Sequence, residues 1–218
     1  MGRNRKGLNV QRNIGRLISV KNKNSGSIYG TVELQYKVKG MSLYSVVLTV
    51  YTQLKQVDVS VRLHKDSVWE AENVYVSLPF QSTAEQKEEL WFDKPGGPIR
   101  PNVDQIPGTG VDFYCIQEGL LWKSSEMGVA LATPYAPLVQ VGPLEHQIRT
   151  LYGEQDEKTE AKNIFSWILD NYWETNFHAT IGGCYEFNYS VIWDEKLENT
   201  QKAIEYCRII NTGLPVLR

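Results

Sequence analysis

With 218 residues, 42% of them hydrophobic and 22% charged, the chain has ample apolar material for a buried core and the makeup of a globular protein. Its net charge of -2 hides an asymmetry: residues 1–24 carry seven of the 23 basic groups and no acid, so the remainder holds 16 basic against 25 acidic groups, a net of -9. A body this acidic argues against nucleic acid as a partner, because phosphate binding needs clustered Lys and Arg.

In chain order, the basic N-terminus reads as a solvated arm, flexible over residues 1–13. Val32, Leu34, Tyr36 and Val38 alternate with polar residues and predict a half-buried strand. Residues 45–51 are apolar at nearly every position, as in a strand covered on both faces. Val57, Val59, Val61 and Leu63 alternate again, as do Val74, Val76, Leu78 and Phe80. Shorter strands are expected at 128–132 and 164–169, and a long one through Tyr185, Phe187, Tyr189, Val191 and Trp193. Gly- and Pro-rich turns at 24–26, 94–98, 106–108 and 182–183 separate them. One helix is expected over 197–210. Asp194 or Asn199 caps it, Ala203, Cys207 and Ile210 form its apolar stripe, and Gly213 and Pro215 stop it. Many strands with almost no helix between them predict an all-β fold of antiparallel sheets packed as a sandwich, forming one domain over 1–218.

Cys115, Cys184 and Cys207 are odd in number, widely spaced and without a CxxC pair. They suit a reducing compartment, and a cytoplasmic location is expected. Cys115 and Cys184 fall on predicted strands, where buried, inert thiols are expected. No stretch approaches 18 apolar residues and no apolar segment follows the N-terminal basic residues, so no membrane partner is expected.

Catalytic chemistry is thin. Glu70 and Glu72 are expected to share one face of a strand at i, i+2, as two exposed carboxylates rather than a pair flanking a sugar. Asp104 and Gln105 lie in a long polar loop, 100–108, where a site is well placed, though an Asx-turn role for Asp104 stands beside that reading. Asp112 follows the same loop. His64, His146 and His178 form no HxH or HExxH pattern, and there is no sequence case for a metal site in this chain. The acidic run 154–160 reads as an exposed loop or a short helical turn. In 171–177, Trp173 sits among Asn171, Thr175 and Asn176. An indole stacks on the C–H face of a sugar ring, and amides and hydroxyls bond its hydroxyls. A Trp plugging the sandwich edge is the competing reading.

Four blocks carry a family resemblance. The first is 14–26, Ile14-Gly15-Arg16-Leu17-Ile18-Ser19-Val20-Lys21-Asn22-Lys23-Asn24-Ser25-Gly26. The second, 69–80, runs from Trp69-Glu70-Ala71-Glu72 to Pro79-Phe80. The third comprises 100–113 and 128–139. The fourth and most specific is Asn171-Tyr172-Trp173-Glu174-Thr175-Asn176-Phe177. Together they resemble the C-terminal β-domain of glycoside hydrolase family 38, the α-mannosidases and their relatives. The resemblance implies an antiparallel super-sandwich like that of galactose mutarotase, a mannoside-like carbohydrate as ligand, and a catalytic glycosidase domain in cis or in trans. In that family the catalytic residues and the zinc ligands come from an N-terminal α/β domain with no counterpart in this chain, so zinc is expected there and no cofactor here. Asp170 also departs from the family's double Asn.

The expectation is a non-catalytic β-domain of an α-mannosidase-like glycoside hydrolase. Its sugar-facing edge is expected to comprise Asn171, Trp173, Thr175 and Asn176 with Asp104 and Gln105. A stand-alone carbohydrate-binding module, or a super-sandwich epimerase or lyase pairing a His with a Glu, are the alternatives.

Overall fold

A computed structural model of the chain describes residues 10–79, 89–124, 127–142, 144, 151–152, 163–171 and 179–213, with the side chains of residues 196 and 198 apart. Over these residues the fold is an all-β sandwich of two antiparallel sheets with one C-terminal α-helix. Among the described residues no helix is long and apolar enough to cross a membrane.

The larger sheet contains β1 (Arg16–Ser25), β2 (Tyr29–Lys37), β3 (Met41–Tyr51), β4 (Gln56–Lys65), β6 (Glu89–Lys94), β7 (Gly97–Ile99), β9 (Gly119–Lys123), β10 (Gly128–Ala132) and β13 (Gly183–Asp194). Its order is β1-β2-β3-β4-β13-β10-β9-β6-β7. The smaller sheet, ordered β5-β12-β11-β8, is built from β5 (Asn73–Leu78), β8 (Phe113–Cys115), β11 (Leu138–Val141) and β12 (Ile164–Asp170).

Period-two patterning sets which face of each strand is buried. Val61 and Leu63 of β4 lie opposite Phe187 and Tyr185 of β13, and directly opposed residues of an antiparallel ladder share a face. That face meets Val139, Val141, Ile164 and Ile168 of the smaller sheet to make the main core. Tyr189 reaches across the sandwich and donates to Ser166 Oγ at 2.9 Å, and burial drives its phenol pKa well above the ordinary value. A second core lies on the opposite face of the larger sheet, where Leu121, Ala130 and Ala132 pack under Ala203 and Cys207 of α1 (Thr200–Thr212). Gly119 belongs to this contact. A Cβ there would lie 2.3 Å from the Leu131 carbonyl oxygen and 2.8 Å from Cys207 Sγ, so no larger residue lets helix and sheet meet.

The helix follows its sequence signals. Asn199, one of the two expected caps, accepts from the Lys202 N–H, and Gly213 ends the helix at φ 66. Leu197, expected inside the helix, lies in a preceding 3-10 turn, Glu195–Glu198, buried against β10.

Several expectations are corrected. Cys115 and Cys184 do lie on strands, but on outward faces, and both are exposed; only Cys207 is buried, which pushes its thiol up to about 12. The strand at 45–51 belongs to the longer β3, and most of it is only half-buried, because the smaller sheet covers one part of one face. Glu70 and Glu72 are not on a strand: β5 starts at Asn73, and both residues fall in the loop before it. Residues 10–15 have no regular structure, and Arg12 donates to the Leu144 carbonyl. The run 154–160 and His146 and His178 lie outside the described residues.

Candidate functional site

The most elaborately built corner is where β4 ends, β5 begins, β12 ends and β13 begins. Between β4 and β5 the chain makes a loop, 66–72, and each of its ends is held by a buried group. Asn171, the residue after β12, is 1% exposed. Its side-chain oxygen accepts from the Glu72 N–H, and its amide donates to the carbonyls of Glu70 at 2.8 Å and Val68 at 3.3 Å. The Asn171 N–H also donates to the Glu72 carbonyl at 3.1 Å. One asparagine thus satisfies three loop groups that β pairing leaves over, as a fixed loop of this kind requires.

The opposite flank is held by the segment leading into β13. Thr180 Oγ1 and Ser67 Oγ are 2.7 Å apart, and a Cβ on Gly182 would lie 2.7 Å from Ser67 Cβ. Gly183 sits at φ 143, so the Gly182-Gly183 turn serves both close approach and a backbone conformation that favours glycine. Underneath, Lys65 is 2% exposed, its ammonium 2.6 Å from Glu72 Oε2 and donating to the Asp66 carbonyl at 3.0 Å. Asp66 N–H donates to the Gly40 carbonyl, and His64 Nδ1 lies 2.7 Å from Ser42 Oγ on the neighbouring strand. At the loop's crest Trp69 is 63% exposed. The result is a fixed loop presenting an indole, beside the point from which the 171–177 segment departs.

Of the sequence candidates, Asn171 is a clamp whose side chain is wholly engaged in that loop. Trp173, Thr175 and Asn176 lie outside the described residues. Asp104 and Gln105 sit elsewhere. Arg100 donates to both Asp104 oxygens, at 2.8 and 3.0 Å, and its N–H to Oδ2 at 2.9 Å, while the guanidinium lies 5.3 Å over the Trp91 ring. Gln105 accepts from Tyr114 Oη at 2.7 Å and from the Asn102 N–H at 2.8 Å. Tyr114 belongs to β8 and Asn171 clamps the loop preceding β5, and these are opposite edges of the smaller sheet, about 15 Å apart at ordinary strand spacing. Among the described candidates, Asn171 therefore stands apart from Asp104 and Gln105. Asp112 is buried, and its carbonyl accepts from the Val141 N–H.

Asp104 gives a direct test of its pairing. The Arg100 guanidinium and N–H pull its carboxyl from the ordinary 3.8 down to about 2. A depressed carboxylate contributes stability that is present above pH 3.8 and lost as pH falls through 2. A carboxyl-carbon NMR titration is expected to place its midpoint near 2, and Arg100→Ala to return it towards 3.8.

Sequence reasoning missed Lys65 and Trp69 as site residues. Lys65 had a signal: it continues the odd-numbered parity of Val57, Val59, Val61 and Leu63, which places a lysine on the buried face. Among the described residues no three His, Cys, Asp or Glu side chains are grouped to hold a metal. A scan of protein-family models and a search of curated proteins each returned no match to this sequence.

Proposed function

We propose that the chain is a non-catalytic, carbohydrate-contacting β-domain of an α-mannosidase-like glycoside hydrolase. The observation that carries this reading is the clamped 66–72 loop. It joins two of the four blocks of the family resemblance, because Asn171 of the fourth block holds Glu70 and Glu72 of the second. That clamp gives the first Asn of the 171–177 motif a reason to be Asn. It also puts an exposed indole, Trp69, next to the start of the aromatic and amide-rich segment. An indole on a fixed loop stacks against a sugar face with little ordering cost, and nearby amides supply hydroxyl partners. The catalytic carboxylates and zinc of such an enzyme would belong to a separate α/β domain, in cis or in trans. Three free thiols, two of them exposed, suit a reducing compartment such as the cytoplasm.

Trp69 also favours a second reading, a stand-alone carbohydrate-binding module. One titration separates the two. The chain alone is titrated with an α-linked mannobiose while indole N–H signals are followed by NMR, and the same chain is then assayed together with a family 38 catalytic domain. Gain of turnover with the catalytic domain, lost in Trp173→Ala, supports the accessory role. Binding by the chain alone, with no effect on turnover, supports the module. Neither binding nor an effect on turnover sinks both.

A further inference from the structure

The smaller sheet carries apolar side chains on both faces. Val139, Val141, Ile164 and Ile168 face the core, so Gln140 of β11 and Phe165 and Trp167 of β12 point away from it. The register sets their partners: Gln140 lies between Phe113 of β8 and Phe165, and Trp167 lies opposite Tyr75 of β5. Tyr75 stacks on Trp167 with ring centroids 5.9 Å apart, and Phe113 approaches Trp167 to 5.3 Å from the β8 side. β8 and β12 are two strand spacings apart, about 10 Å, so the Phe113 and Trp167 rings meet above β11. The Trp167 indole N–H donates to Asn73 Oδ1 at 3.1 Å, which fixes the middle ring of the row.

Gln140 is the exception in this row. It is 4% exposed although it faces away from the core, and its Oε1 has no hydrogen-bond partner among the described residues. A buried amide oxygen left without a donor is destabilising, and its direction marks where a donor belongs. We propose that the outer face of the smaller sheet is a second carbohydrate-binding surface. It takes a neutral, mannoside-like sugar whose ring lies against Trp167 and whose hydroxyl donates to Gln140 Oε1. This inference rests on the carbohydrate-contacting reading above, but on residues apart from the 66–72 loop.

Three features favour a sugar as the occupant. The unmet group is an acceptor set among aromatic rings, which suits a ligand that combines hydroxyl donors with apolar C–H surface. Apart from Asp170 at the Asn73 end, the described strand residues on this face are uncharged, which suits a neutral ligand. The patch is also small: four strands over three or four residues make on the order of 200 Å², well short of the about 800 Å² per partner of a standard protein interface. Access to Oε1 is through Phe113. Its side chain is 47% exposed on a three-residue edge strand, and an exposed ring of this kind turns aside within nanoseconds.

The chain is titrated with α-linked mannobiose up to about 10 mM, enough to saturate a millimolar site, while the indole N–H signals are followed by NMR. Trp167→Phe and Trp69→Phe assign the two signals, so this face and the 66–72 loop are read separately. The Trp167 signal is expected to shift and saturate. Gln140→Leu removes the unpaired oxygen at similar volume, so it is expected to keep or raise the unfolding midpoint. It is expected to weaken binding at Trp167 about fivefold, the worth of one neutral hydrogen bond. A Trp167 signal that stays in place overturns the proposal whatever Trp69 does. A saturable shift at Trp167 alone upholds it and counts against the loop. Undiminished binding in Gln140→Leu overturns it, as does self-association that Phe113→Glu abolishes, which would make a second copy the occupant.

Discussion

Asn171→Ala is expected to lower the stability of the chain by about 3 kcal/mol, the sum of one lost donor–acceptor set and the groups it leaves behind. The side chain is 1% exposed and serves three backbone groups of another segment. Truncation strands the Glu72 N–H and the carbonyls of Val68 and Glu70, each worth about 1 to 3 kcal/mol when buried and unpaired. The lower part of that range applies, because the loop's crest is open to water that can reach the carbonyls. Asn171→Asp is the sharper variant. It keeps an acceptor for Glu72 N–H but turns a carboxylate towards two carbonyl oxygens, so it is expected to cost at least as much. Urea unfolding measures the loss, and hydrogen exchange locates it: the Glu72 amide should lose protection ahead of β4 and β13. An unchanged urea midpoint for Asn171→Ala would mean that the clamp does not hold the loop.

How far this architecture was legible depended on whether a strand has two different faces. β4 and β13 alternate cleanly because one face meets the core and the other is polar, and their pairing over ten positions follows. β9 gave no such signal: Leu120 and Trp122 face the smaller sheet and Leu121 faces α1, so every central position is apolar. β7 and β8 are three residues each, too short to show a period. Residues 69–72 misled for the opposite reason. Glu70 and Glu72 extend the alternation of Val74, Val76 and Leu78, yet Asn171 and Lys65, distant in sequence, take the backbone and carboxylate there and fold it as a loop. Cys115 and Cys184 were misjudged because a strand position fixes a face only after the register is known. In the candidate site, Asn171 was expected on a sugar-facing edge, and its clamping role needed the tertiary contact to be seen.

Lys65 and Glu72 make the second large prediction, and its content is an asymmetry. The ammonium is 2% exposed, whereas the Glu72 side chain is 35% exposed. Glu72 Oε2 is 2.6 Å from Nζ but lies off the direction of a good hydrogen bond, leaving attraction between charges as the main tie. Removing the carboxylate leaves a buried cation donating to the Asp66 carbonyl with no counter-charge beside it, so Glu72→Gln is expected to cost about 3 kcal/mol, the low end for breaking a buried pair. Removing the cation leaves a carboxylate whose Oε2 is buried but whose side chain as a whole is 35% exposed, so it can turn towards water. Lys65→Met also keeps most of the volume beneath β4 and adds apolar packing to the parity of Val61 and Leu63. Its cost is expected to stay within about 1 kcal/mol, and the double variant should be closer to Lys65→Met than to Glu72→Gln. Urea unfolding of the three variants makes a double-mutant cycle. Equal costs for the two single variants would show that burial of the ammonium is not what makes the carboxylate necessary. A cheap Glu72→Gln would show that the loop is held without the ion pair, by Asn171 and the Ser67–Thr180 contact.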